Sequence, residues 1–216
     1  MTIPLASSEF LHLAADQIHV WRVALNQNPE RISELIEVLS ADECARADRF
    51  HFQKDRNQFI ESRAALRLLL SQYLNVPPTG MTFSLAAHGK PGLSNTDLRF
   101  NLSRRDGLAL IAFTEGREIG IDVELVRPDL DLFEIAEVSF SDSELSTLRS
   151  LPENLQAEGF YNCWTRKEAF VKAVGEGLSF PLKQFDVSLT PGQPARLLSI
   201  RVEPSSDGIH AAASWT

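Results

Sequence analysis

Apolar residues recur at Phe59, Leu66, Leu69, Leu70 and Tyr73, the spacing of one helical face, while Arg63 and Arg67 lie four apart on another. The pattern predicts a helix over 59–74, ended by Asn75-Val76-Pro77-Pro78-Thr79-Gly80. Residues 108–113, Leu-Ala-Leu-Ile-Ala-Phe, form an unbroken apolar run that reads as a buried strand. A turn at 114–117 and a second strand at 119–126 would make this a hairpin, with Gly116 free to take positive φ. The stretch around Trp164 to Lys172 reads as helix. The last third breaks into short strand-like runs at 185–189, 197–202 and 209–214, split by Pro191-Gly192 and by Pro204-Ser205-Ser206-Asp207-Gly208.

Laid on itself, the chain repeats. Leu39-Ser40-Ala41-Asp42-Glu43 resembles Phe140-Ser141-Asp142-Ser143-Glu144, and both have the form of a capping box that opens a helix. From Glu43 to Glu144 the offset is 101 residues, and the same offset carries Phe59 onto Phe160 and residues 20–23 onto 121–124. The expected fold class is therefore α+β, built of two similar α/β halves, residues 1–117 and 118–216.

Composition narrows the function classes. The 216 residues carry 21 Lys+Arg against 29 Asp+Glu, a formal net charge of −8. That balance argues against sequence-independent nucleic-acid binding, so any anionic ligand needs a local basic cluster. No apolar run approaches the ~18 residues a bilayer span requires, so no membrane association is expected. Met1-Thr2-Ile3-Pro4-Leu5 lacks the basic-then-apolar form of a secretory signal, and a cytoplasmic location is expected. The two cysteines, Cys44 and Cys163, lie in helical segments without zinc spacing and read as packing residues in a reducing compartment.

Candidate chemistry gathers in four segments. In Gly120-Ile121-Asp122-Val123-Glu124, alternation on a strand would put both carboxylates on one face. The plain alternative is a solvated strand face, disfavoured by the apolar partner strand. Glu168 and Lys172 lie one helical turn apart, a spacing that also suits an ordinary surface ion pair. Asp122, Glu124 and Glu168 together offer the oxygen-only, carboxylate-rich setting that Mg²⁺ prefers. On the anion side stand His88-Gly89-Lys90-Pro91-Gly92 and Phe100-Asn101-Leu102-Ser103-Arg104-Arg105, a lysine in a Gly/Pro turn and a hydroxyl with two guanidiniums at a strand end. A solvated turn and a charged strand end explain each segment equally well when taken alone.

Taken in order, Gly89-Lys90-Pro91, Phe100-Asn101-Leu102-Ser103, Gly120-Ile121-Asp122-Val123-Glu124 and Trp164-x-x-Lys167-Glu168-Ala169-x-x-Lys172 resemble the Sfp-type 4'-phosphopantetheinyl transferases. The upstream segment from Arg46 through Arg56 to Arg67 is similar to the family as well. The resemblance implies a pseudo-dimer of two α/β halves with the active site, and coenzyme A, in the cleft between them. It implies transfer of 4'-phosphopantetheine from coenzyme A to a serine hydroxyl of an apo acyl or peptidyl carrier protein, with release of 3',5'-adenosine bisphosphate. By motif, Asp122, Glu124 and Glu168 would hold Mg²⁺. Glu168, directly or through a metal-bound water, would be the general base, and Lys172 would steady the phosphoryl charge. Lys90 and Ser103 would hold coenzyme A phosphates. Where the family carries a histidine after the serine, this chain has Arg104, which keeps a cationic donor that does not titrate near neutral pH. Where the family has a basic residue upstream, the chain has Gln58, and Arg56 or Arg63 would substitute.

Residues 130–140, with Leu132, Phe133, Ile135, Val138 and Phe140, offer an apolar groove for a carrier helix, or belong to the core, with Arg127 supplying local positive charge. Carriers of fatty-acid, polyketide and nonribosomal-peptide assembly all present a serine at a helix start, so the pathway is not specified. Two other readings stand beside the transferase: a carrier-binding or coenzyme A-binding module without chemistry, which needs the carboxylate triad broken, and a Mg²⁺-dependent nucleotide phosphohydrolase. A chain that contains both halves needs no partner subunit, and a monomer is expected.

Overall fold

The computed structural model describes residues 10–25, 29–127 and 129–201. The chain divides into two compact units, Met1–Ser84 with Pro91–Gly116, and Leu85–Lys90 with Arg117–Thr216. Both mix helices with antiparallel sheet, an α+β construction. Among the described residues no helix is long and apolar enough to cross a membrane.

The first unit contains β1 (His19–Ala24), α1 (Pro29–Ile36), α2 (Ala41–Ala47), α3 (Gln53–Leu74), β2 (Phe83–Leu85), β3 (Pro91–Leu93), β4 (Leu98–Arg105) and β5 (Leu108–Glu115). Its main sheet runs in the order β1-β5-β4, antiparallel throughout, with Trp21 opposite Ile111 and Phe100 opposite Phe113. The apolar run 108–113 thus becomes the central strand, the place where both edges are paired. Helix α3 packs its apolar face on this sheet: Phe59, Ile60, Leu66, Leu69 and Leu70 share one buried core with Phe100, Ile111 and Phe113. Tyr73 meets Phe113 at 4.8 Å between ring centroids. α3 begins six residues before the apolar periodicity does, because its first turns, Gln53 to Asn57, are polar and lie at the surface.

The expected hairpin at 114–117 is corrected. β5 turns back on β4, not on 119–126, through the two-residue loop Asp106-Gly107, whose φ values of 41° and 85° are those of a type I′ turn. The Asp-Gly pair between two strand-like runs was the available signal. Gly116 does take positive φ, but it closes β5, donating its N–H to Asp97 O. Among the described residues, 119–126 pair with no strand.

The second unit contains α4 (Leu132–Ser139), α5 (Asp142–Ser150), α6 (Glu153–Val174), β6 (Phe185–Val187) and β7 (Leu197–Ile200), the last two paired antiparallel. Its core gathers Ala136, Phe140, Leu148, Phe160, Cys163, Phe170, Phe180 and Phe185. Burial pushes the Cys163 thiol far up, in keeping with a packing role, and both cysteines are free. The strand expected at 209–214 lies outside the described residues.

The duplication is visible in the geometry, with one adjustment. Both capping boxes form: Ser40 N donates to Glu43 Oε2 (3.0 Å), and Ser141 N to Glu144 Oε2 (2.9 Å). The two long helices each span 22 residues and end in a left-handed residue, Asn75 or Gly175, so they correspond at an offset of 100 residues, not 101. Phe160 is therefore the counterpart of Ile60, and Phe59 that of Gly159. Of the third match, 20–23 with 121–124, only 20–23 lies in a strand among the described residues.

In each unit the capping-box glutamate meets a buried cation from the long helix. Arg67 Nε lies 2.6 Å from Glu43 Oε2, and Lys167 Nζ lies 2.8 Å from Glu144 Oε2. Each cation also holds two carbonyls of the segment after its own helix, Pro78 and Met81 for Arg67, Leu182 and Phe185 for Lys167. With a carboxylate and two carbonyls around it, a charge that is 1% exposed becomes tolerable, and it ties the short helix, the long helix and the following loop together.

Candidate active site

Residues 119–127 form a strap along α6. At Gly120 a Cβ would stand 1.9 Å from Ala169 O and 2.5 Å from Ala173 N, so only glycine lets the strap touch the helix backbone. Further on, Arg127 N donates to Tyr161 Oη at 2.9 Å. Rising numbers on the strap thus meet falling numbers on α6, and Asp122 and Glu124 are laid on the stretch that carries Glu168 and Lys172. This contact, not strand alternation, brings the carboxylates together.

Lys172 Nζ donates to Asp122 Oδ1 at 2.5 Å and approaches Ile121 O at 3.4 Å. The Asp122 side chain is 5% exposed, that of Lys172 30%. The Glu168 carboxyl is raised above the ordinary carboxylate range, first by burial and then by Asp122; the Lys172 ammonium opposes this and Glu124 adds to it. Three carboxylates and one ammonium therefore share one field. Among the described residues no three His, Cys, Asp or Glu side chains converge as they stand on a metal-holding arrangement. The donor set nevertheless fits a hard divalent cation: Asp122, Glu124 and Glu168 offer only carboxylate oxygen, and the other two carboxylates both act on Glu168.

In the same unit Lys90 donates to Ala173 O (2.7 Å), at the C-terminal end of α6, and to Glu118 Oε2 (2.5 Å). Its stem passes 3.3 Å from where Gly175 would carry a Cβ. The glycine turn before it is closed by Gly89 N donating to Ala86 O, with Gly89 at φ 83°.

The remaining basic candidates lie in the first unit. Ser103 is buried on β4, and Arg104, the next residue, points to the opposite face of that strand. The Arg104 guanidinium rests 5.2 Å from the Phe59 ring centre and 5.8 Å from that of Phe50, with Nη1 3.4 Å from Ser62 Oγ. Burial lowers its pKa, as do Arg46 and Arg63, against Asp55. Arg63 stacks on Phe83 at 4.2 Å and donates to Glu43, while Arg56 pairs with Asp48 at 3.0 Å. Two of the candidate arginines thus pair with carboxylates, whereas Arg104 feels two arginines, Arg46 and Arg63, as well as Asp55. Arg46, 5.4 Å from the same Phe59 ring, belongs to this cluster and was not singled out from the sequence. Its position in the last turn of a capped helix was the only clue.

In 130–140, Asp131 caps α4 by accepting from Phe133 N and Glu134 N. Phe140 is core, and Leu132, Phe133 and Ile135 pack partly against it. Val138 is 72% exposed, and Leu125 and Val126 on the strap are exposed too.

The family model described as the 4'-phosphopantetheinyl transferase superfamily matches residues 118–213, and one described as 4'-phosphopantetheinyl transferase, N-terminal, matches residues 24–115. The chain is 41% identical over 191 residues to the 4'-phosphopantetheinyl transferase HetI of Nostoc sp. strain PCC 7120, covering 87% of this chain and 80% of that protein. It is 31% identical over 173 residues to the 4'-phosphopantetheinyl transferase Sfp of Bacillus subtilis strain 168, covering 80% and 75%. To the human L-aminoadipate-semialdehyde dehydrogenase-phosphopantetheinyl transferase it is 30% identical over 177 residues, covering 76% and 57%.

Proposed function

The chain belongs to the 4'-phosphopantetheinyl transferase superfamily, and from that premise we propose how its residues move phosphopantetheine from coenzyme A to a carrier protein. The serine oxygen of the apo carrier attacks the β-phosphorus of coenzyme A. A new P–O bond forms to the serine, the bond to the bridging oxygen breaks, and 3',5'-adenosine bisphosphate leaves. The serine proton must go to a base, and we assign that role to Glu168. Asp122, Glu124 and Glu168 would hold Mg²⁺, which when bound neutralises pyrophosphate charge as a Lewis acid. Lys172, one turn from Glu168, supplies an ammonium to the phosphoryl oxygens. For the coenzyme A phosphates we assign Lys90 in the second unit and Ser103, Arg104, Arg56 and Arg63 in the first. Arg104 is the strongest of these, since it is buried beside Arg46 and Arg63, with Asp55 as the opposing charge, and an anion would relieve it. We place the enzyme in the cytoplasm, acting as a monomer on acyl or peptidyl carrier proteins.

The observation that carries the reading is the strap of Asp122 and Glu124 held on the Glu168–Lys172 turn of α6. The test is intact-mass analysis of an apo carrier incubated with the protein, coenzyme A and Mg²⁺. A gain of ~340 Da that disappears with EDTA and with Glu168→Gln is expected. Release of phosphopantetheine without any carrier would instead identify a hydrolase.

A further inference from the structure

We infer that Lys172 is the resident counter-ion of the carboxylate cluster, and that its ammonium leaves Asp122 when a divalent cation binds, becoming available to phosphate only then. The inference rests on the carboxylate reading above. Asp122 is almost fully enclosed, and a buried carboxylate requires a cation beside it. In the protein as it stands that cation is Lys172, at 2.5 Å from Oδ1. A divalent ion on the same carboxylate repels the ammonium held there at close range and weakens its hold on Asp122.

The geometry gives Lys172 somewhere to go. Its side chain is several times more exposed than that of Asp122, and its stem is flexible with rotatable donors, so the ammonium can swing outward without movement of α6. Asp122 cannot follow, because Gly120 fixes the strap against Ala169 and Ala173. A doubly charged ion also compensates neighbouring carboxylates better than a single ammonium does. The consequence is an order of events in which metal loading sets the phosphate-binding lysine free.

The test follows the side-chain ammonium of Lys172 by nitrogen-detected NMR on the full chain, the signal assigned by its loss in Lys172→Arg. An ion-paired ammonium, shielded from exchange, is expected in metal-free protein, and its signal should shift or vanish as Mg²⁺ saturates. In parallel, Mn²⁺ titration of Lys172→Met should show binding about tenfold tighter than wild type, since the competitor is gone. A Lys172 signal unmoved at saturating Mg²⁺ overturns the inference, as does a wild type that binds neither Mg²⁺ nor Mn²⁺. The wild-type signal decides the matter even if Lys172→Met folds poorly. A wild type that releases Lys172 on Mg²⁺ yet modifies no carrier contradicts the transfer mechanism and leaves the exchange standing. One that modifies carriers while Lys172 stays on Asp122 overturns the exchange alone.

Discussion

At the scale of single residues, the candidate site depends on a glycine more than on any charge. Asp122 reaches Lys172 because Gly120 lets the strap lie on the helix backbone, where no side chain fits. Gly120→Ala must push strap and helix apart, since the obstacles are the carbonyl of Ala169 and the amide of Ala173, which cannot rotate away as side chains do. We expect a loss of about 1–3 kcal/mol in urea denaturation, in line with other overpacked sites, together with a fall in carrier modification of at least tenfold. Retained activity in a destabilised variant would show that the strap's position is not what serves the chemistry. Lys167 plays a different part from its neighbour: it precedes Glu168 in the motif, yet it is a buried tie to Glu144, Leu182 and Phe185. In sequence a lysine beside a glutamate gives no sign of which one faces the core.

At the scale of elements, the capping boxes do two jobs. Ser141 satisfies a free N–H of α5, Glu144 N donating to its Oγ, an ordinary local contribution. Glu144 caps in return, accepts from Val187 N, and is also the counter-ion of Lys167. Ser141→Ala should therefore cost about 1 kcal/mol, while Glu144→Gln, which strands a buried ammonium, should cost about 3–5 kcal/mol. Equal midpoints of thermal or chemical unfolding for the two variants would contradict the assigned role of the ion pair. The same logic applies to Glu43, held by Arg67 and Arg63 in the first unit. Helix periodicity located the long helices but not their polar first turns, and apolar run length located β5 but not its partner. The Asp106-Gly107 turn, being local chemistry, was legible in the residues; the contact of 119–127 with α6 was not, because a strap and a strand share the same alternating pattern.

For the molecule as a whole, the carboxylates pull stability in opposite directions with pH. Burial pushes Glu43 up, but the bond from Arg67, the Ser40 amide and Arg63 outweigh it, and its pKa is lowered in the folded chain. Asp186 is lowered chiefly by its bond from Arg201. Both contribute stability above the ordinary carboxylate pKa of about 4 and lose it as pH falls through their lower folded values. Glu168, raised, does the reverse: its contribution is present at low pH and lost as pH rises through its folded value. Urea midpoints should thus drop below pH ~4 in the wild type, and Glu168→Gln should raise the midpoint at pH 7 but not at pH 3. A midpoint for Glu168→Gln that is unchanged at pH 7 would remove the repulsion assigned to the cluster.

Some of this was determined by the sequence alone. Caps, helix periodicity, the central apolar strand, the duplicated architecture and the carboxylate-and-lysine motifs are local patterns, and local patterns act through neighbours a few residues away. The tertiary structure decided the rest: that the Gly120 segment is a strap on α6, that Arg67 and Lys167 are buried counterparts one hundred residues apart, that Arg56 and Arg63 face Asp48 and Glu43, and that Lys172 sits on Asp122. Each of these depends on contacts between different elements of the chain, beyond the reach of a single helical turn or cap. A charge carries no mark of its partner until packing has excluded water and left one oppositely charged group within reach.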